Sequence, residues 1–127
     1  MGLTTALELR RKYPTSKIVV FERGILPSGA STKNAGFACF GSASELLDDL
    51  KFHSEDEVLA LVEKRVKGLE NLRGLLGNDQ IGFDDCGGFE LFGTEDGDLY
   101  LQCVNSIDRL NNLLSPIFNE PVFEVAA

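Results

Sequence analysis

The spacing of hydrophobic residues changes period early in the chain. Over residues 2–13, Leu3, Ala6, Leu7 and Leu9 give an apolar side to a helix. Arg10, Arg11 and Lys12 suit the negative end of its dipole, and Pro14 stops it. Residues 17–22 read KIVVFE, a short, β-branched, nearly continuous apolar run. That is the pattern of a strand buried on both faces of a parallel sheet. Residues 23–42 then form a connection containing Gly24, Pro27, Gly29, Gly36 and Gly41. It is too long for a simple turn, and long ordered loops are disproportionately functional.

Two helices with capping boxes follow. Ser42 precedes Glu45 by three and predicts a helix to about residue 50. Ser54 precedes Glu57 by three and predicts a helix to about residue 76, with Gly77 as its C-cap. In the second helix Val58, Val62, Val66, Leu69, Leu72 and Leu76 form one stripe, which is core or interface. Glu63 stands four before Lys67, the favourable order for a surface ion pair. Residues 81–84 and 88–92 are expected as two short strands flanking a turn at Asp85, Cys86 and Gly87. Residues 95–114 predict a helix with Leu101, Val104, Ile107, Leu110 and Leu114 as its core face, limited by Pro116. Residues 122–125 are expected as a last strand. The fold class expected from these elements is α/β, with helices and short strands mixed.

A length of 127 residues suits one ordinary domain and a real core. The 12 Lys+Arg against 20 Asp+Glu give a net charge of −8, which disfavours nucleic acid as a partner. The basic residues cluster inside helices that also carry acids. No apolar run approaches a membrane span, and no signal peptide is expected. Cys39, Cys86 and Cys103 are odd in number, widely spaced and without a CxxC, so free thiols in a reducing cytoplasmic setting are expected, with no disulfide framework or zinc site. His53 reads as a surface cation after a helix end. The pairs Asp84–Asp85 and Glu95–Asp96 fit turn and helix-start roles.

The first forty residues carry the candidate chemistry. A helix leading through a short turn into a strand that ends in an acid is the second half of a βαβ unit. In its dinucleotide-binding form, pyrophosphate rests on the helix N-terminus and an acid about 20 residues after the glycines accepts from a ribose. Glu22 stands 20 residues after Gly2. The loop adds specificity: Glu22-Arg23-Gly24, then Gly29-Ala30-Ser31-Thr32-Lys33-Asn34-Ala35-Gly36. This segment resembles the FAD-dependent oxidoreductases of the D-amino-acid oxidase-like family, which includes glycine oxidase, sarcosine oxidase and D-amino-acid dehydrogenase relatives. The resemblance covers about residues 2–42 well and extends weakly to 88–92.

The resemblance implies FAD as cofactor and hydride transfer from an amine or amino acid. It implies that Gly2 is the last glycine of the fingerprint and allows close helix–strand packing. Glu22 would hold the adenosine ribose, with Arg23 and Gly24 flanking the adenine side. Ser31 and Thr32 would contact the pyrophosphate, and Lys33 would place a positive charge near the phosphates or ribose. Asn34, Ala35 and Gly36 would pass close to the flavin ring. No catalytic residue and no metal ligand is nominated.

On this reading the chain is an N-terminal fragment. Residues 1–79 are expected as a partial Rossmann-like FAD-binding domain lacking its first strand, and 80–127 as the beginning of a substrate-binding domain with the start of its sheet. Such a fragment is expected to bind FAD weakly or not at all and to be inactive. An apolar strand without its neighbour is an association hazard, so a dimer or other homo-oligomer is expected, through that strand or the helix stripe. Two alternatives use other features. One is a non-enzymatic helical interaction module built on the stripe from Val58 to Leu76. The other is a mononucleotide-binding domain.

Overall fold

A computed structural model describes residues 2–126, with Ser31 described by its backbone alone. The helices are α1 (Gly2–Lys12), α2 (Ala43–Asp49), α3 (Glu55–Leu76), α4 (Asn78–Ile81) and α5 (Gly97–Leu114). Single 3-10 turns lie at Ala30–Thr32 and Thr94–Asp96. The chain divides into two compact units, Met1–Phe37 and Ala38–Ala127.

The first unit is α1 followed by irregular chain with one 3-10 turn. Arg10 Nη1 donates to the carbonyls of Pro14 at 2.7 Å and Ser16 at 3.1 Å, so the turn after Pro14 is tied back to the helix that Pro14 ends. No described residue of this unit is buried. Val19, Val20 and Phe21 are 55%, 48% and 91% exposed.

The second unit holds the core. Ala43 and Leu46 of α2, Val58 and Val62 of α3, and Cys103, Leu110 and Leu114 of α5 are buried together. Both expected capping boxes form. Ser42 and Ser54 each accept from the backbone N–H three residues on, and Glu45 and Glu57 reach back. Glu55, Asp56 and Glu57 fill the first turn of α3, where the dipole favours anions. Gly77 closes α3 at φ +80°, a conformation that favours glycine. Lys67 Nζ lies 2.7 Å from Glu63 as the spacing predicts. Across the core, Arg109 of α5 pairs with Glu55 of α3 at 2.8 Å, and Arg65 of α3 donates to the Phe40 carbonyl at 2.8 Å.

The expected α/β class does not hold. The molecule is 54% helix, and no strand or sheet occurs among the described residues, so neither the Rossmann-like unit nor the start of a second sheet is present. Each expected strand fails for its own reason. Residues 17–22 carry no regular secondary structure: no described segment offers them a ladder of hydrogen bonds, and apolar β-branched composition cannot replace a partner. Ile81 is the last residue of α4, which Gly82 closes in the left-handed region at φ +60°. The run 88–92 turns a side chain, Glu90, toward the start of α2. At 122–123 the side chain of Asn111 takes the role a neighbouring strand would have. Its Oδ1 accepts the N–H groups of Val122 and Phe123 at 3.0 Å each, and its Nδ2 donates to the Phe123 carbonyl at 3.0 Å.

Two helical faces also differ in detail. On α5 the buried line is Cys103, Leu110 and Leu114, while Leu101 is 55% exposed. At about 100° per residue, 103, 110 and 114 fall within a narrow sector and 101 lies nearly opposite it. On α3 the stripe is buried at Val58 and Val62, half-buried at Val66 and Leu69, and exposed at Leu72 and Leu76.

Candidate functional site

All ten candidate residues belong to the first unit, and the described ones are exposed. Gly2 opens α1, and a Cβ on it would lie 3.7 Å from Val20 Cγ1. The helix start therefore sits against the 17–22 stretch, at a distance that ordinary van der Waals contact satisfies. Glu22 is folded into a turn: its Oε1 accepts the N–H of Gly24 at 3.0 Å. A Cβ on Gly24 would meet the Leu26 carbonyl at 3.0 Å, so the turn is tight around that glycine. Arg23 is exposed beside it.

The rest of the loop is organised by one 3-10 turn. Thr32 N–H donates to the Gly29 carbonyl and Lys33 N–H to the Ala30 carbonyl, both at 3.1 Å. The Thr32 hydroxyl shares its proton between the carbonyls of Gly29 at 2.9 Å and Pro27 at 3.2 Å. That hydroxyl is thereby committed to holding the loop. The side chain of Ser31 lies outside the described residues. Lys33 has no ion-pair partner among the described residues, and Asn34 and Ala35 are exposed. Gly36 has φ +83° with open space where a Cβ would be. Only its backbone conformation demands glycine there.

Chemically, the segment 22–36 offers a carboxylate with one oxygen engaged, an unpaired ammonium group, and a stretch of small residues ending in a left-handed glycine. It is a surface segment, and none of its described residues is desolvated.

The second unit contains polar features that sequence spacing does not announce. Glu90 accepts from the Ser42 hydroxyl at 3.1 Å and the Ser44 N–H at 3.3 Å, and also hydrogen-bonds the Ser44 hydroxyl. These partners are 46 and 48 residues away, beyond the reach of any local motif. Glu90 also adds to the burial that pushes the Cys103 thiol up from its ordinary value, burial being the larger cause. Cys39 and Cys86 are exposed and free. His53 lies on the surface, its Nδ1 4.0 Å from Glu57. No group of three or more His, Cys, Asp or Glu among the described residues is placed to hold a metal ion. No helix among them is long and apolar enough to cross a membrane.

Comparison with curated proteins and with solved structures returned no match. A comparison with family models did return one. The model described as FAD dependent oxidoreductase (DAO) matches residues 1–115, a span that takes in all of the 22–36 loop and every described helix. The chain therefore belongs to the family of FAD dependent oxidoreductases.

Proposed function

We propose that this chain contributes to flavin-dependent oxidation of an amine or an amino acid, and that the segment 22–36 is its contribution to holding FAD. The observation that carries the reading is the family match over residues 1–115, with the Glu22-to-Gly36 motif inside it.

The donor set fits the cofactor. Glu22 keeps one carboxylate oxygen without a partner among the described residues, suited to accept from a ribose hydroxyl. Arg23 and Gly24 lie in the adjoining turn, on the adenine side. Ser31 and Thr32 stand in the 3-10 turn toward the pyrophosphate. Thr32 serves there mainly by fixing the backbone, because its hydroxyl proton is already shared with two carbonyls. Lys33 brings the unpaired positive charge that phosphates require. Asn34, Ala35 and Gly36 let the backbone approach the ring closely, and Gly2 keeps the start of α1 against the 17–22 stretch. When bound, FAD supplies the hydride acceptor for a C–H bond next to an amine nitrogen. The protein's share is to position the two ends of that transfer and exclude water.

The described residues of this segment are exposed. We therefore expect the chain by itself to bind FAD weakly and to be inactive. On the same reading residues 1–79 serve the cofactor and 80–127 begin the substrate-binding region. Exposed Val19, Val20, Phe21, Ile25 and Leu26 are the surface through which a second copy would associate. The free thiols suit the cytoplasm, and the acidic balance argues against nucleic acid as partner.

Anaerobic flavin bleaching tests the reading. The polypeptide encoded by the gene's whole reading frame, loaded with FAD, should bleach on mixing with primary or secondary amines or amino acids. The 127-residue chain with added FAD should not. Bleaching by alcohols but by no amine would overturn the substrate class.

A further inference from the structure

Two irregular runs of the second unit are clamped side by side. One is 38–42, which leads into α2, and the other is 83–93, which leads toward α5. Glu90 of the second run accepts from the Ser42 hydroxyl at 3.1 Å and the Ser44 N–H at 3.3 Å, and also hydrogen-bonds the Ser44 hydroxyl. The runs stay together beyond that clamp, because Phe40 from one and Asp85 and Gly87 from the other line a single cleft. Cys39 stands next to Phe40, and Cys86 stands between Asp85 and Gly87.

The clamp brings both thiols within reach of one region. Cys39 lies three residues before Ser42 and Cys86 four before Glu90, so each is separated from the clamp by at most about 14 Å of chain. Both thiols are exposed and free. A disulfide needs their Cα atoms within roughly 7 Å. Neither run is held in a helix, and Gly87 and Gly88 beside Cys86 have open space where a Cβ would be, so little packing opposes a local shift. The third thiol, Cys103, is 4% exposed and belongs to the core, so it is reached only by opening that core.

We propose that Cys39 and Cys86 are a redox-sensitive pair that closes to a reversible disulfide in the presence of an oxidising small-molecule disulfide. The thiolate of one cysteine attacks a sulfur of the oxidant and breaks its S–S bond. One half of the oxidant leaves as a thiol, and the other half stays on the protein as a mixed disulfide. The thiolate of the second cysteine then attacks the protein sulfur of that mixed disulfide, forming the Cys39–Cys86 bond and releasing the other half. The pair is oxidised by two electrons, the oxidant is reduced to two thiols, and the two cysteine protons end on them. The bridge ties the residues that follow Gly36 to the run that leads toward α5, and it closes a loop over α2, α3 and α4. In a reducing compartment such a pair stays open until oxidant rises. The proposal draws on neither FAD nor an amine substrate.

Exposing the reduced 127-residue chain, at high dilution, to oxidised glutathione tests it by intact mass and by peptide mapping without reduction. The oxidant is held at about 0.1 mM, below the roughly millimolar effective concentration of a tethered thiol. The chain should lose two hydrogens, carry no glutathione and yield a peptide linked through Cys39 and Cys86. Iodoacetamide should then add to neither cysteine until dithiothreitol restores both. The variants Cys39→Ser and Cys86→Ser alter exposed positions, so each should keep the thermal midpoint of the parent chain. Each should end as a glutathione adduct on its remaining exposed thiol. Glutathione on both thiols of the parent chain, a bridge between copies, a bridge to Cys103, or no reaction would each overturn the proposal. FAD is absent throughout, so a failure here is separate from a failure of the proposed function.

Discussion

Glu22 Oε1 accepts the backbone N–H of Gly24 at 3.0 Å, and this bond places the carboxylate over the turn that opens the 22–36 loop. One oxygen thus shapes the turn, and the other has no partner among the described residues. Glu22→Gln keeps an oxygen acceptor but removes the charge, whereas Glu22→Ala removes both. Affinity for FAD should fall in that order. The alanine variant should lose about 10- to 100-fold, the range of a hydrogen bond to a charged group. Fluorescence titration of FAD measures it.

The core is small, so each member matters. Leu110 is fully buried, whereas Leu3 is 73% exposed. Leu110→Ala should cost about 2–5 kcal/mol, through lost burial plus the cavity left behind. Leu3→Ala should fall within about 0.5 kcal/mol of zero. Urea denaturation followed by circular dichroism compares them.

Acid should loosen the start of α3. The Ser54 N–H and hydroxyl donate to Glu57 Oε2 at 2.9 and 3.0 Å, and these bonds hold the Glu57 carboxyl below the ordinary value of 4.5. Because the folded value is the lower one, the stabilisation is fully present above pH 4.5 and is lost as pH falls through the lowered value. Ser54→Ala removes the hydroxyl bond and leaves the larger backbone one. The Glu57 carboxyl should therefore move only part of the way back up, as read by its carbon chemical shift against pH. The thermal midpoint should drop by roughly 4–8 °C from loss of the cap.

Thiol labelling should sort the cysteines. Cys103 is 4% exposed, and its thiol is pushed up first by burial and then by the charge of Glu90. Iodoacetamide at neutral pH should modify Cys39 and Cys86 in the folded chain and reach Cys103 only in denaturant. Mass spectrometry counts the adducts.

Legibility in the sequence followed the range of the forces involved. The ends of α2 and α3 were readable because a capping box is a contact between residues three apart, at Ser42 with Glu45 and Ser54 with Glu57. Gly77 and the Glu63–Lys67 pair were readable for the same reason. The strands were not, because a strand depends on a partner elsewhere. The run 17–22 has strand composition but no ladder among the described residues, and Asn111 replaces one at 122–123. On α5, Leu101 and Cys103 exchanged places because hydropathy ranks leucine as the better core residue, while helix phase sets which one faces the core. The candidate loop was legible as a motif. Its exposure, the turn at Glu22 and the commitment of the Thr32 hydroxyl needed coordinates.

The central claim is that residues 22–36 are where this chain meets FAD. The most direct measurement is a two-dimensional amide spectrum of the isotope-labelled chain during an FAD titration, which reports weak binding residue by residue. The account predicts concentration-dependent shifts concentrated between Glu22 and Gly36 and lost in Glu22→Ala. Shifts confined to residues 38–126, or none at all, would contradict it.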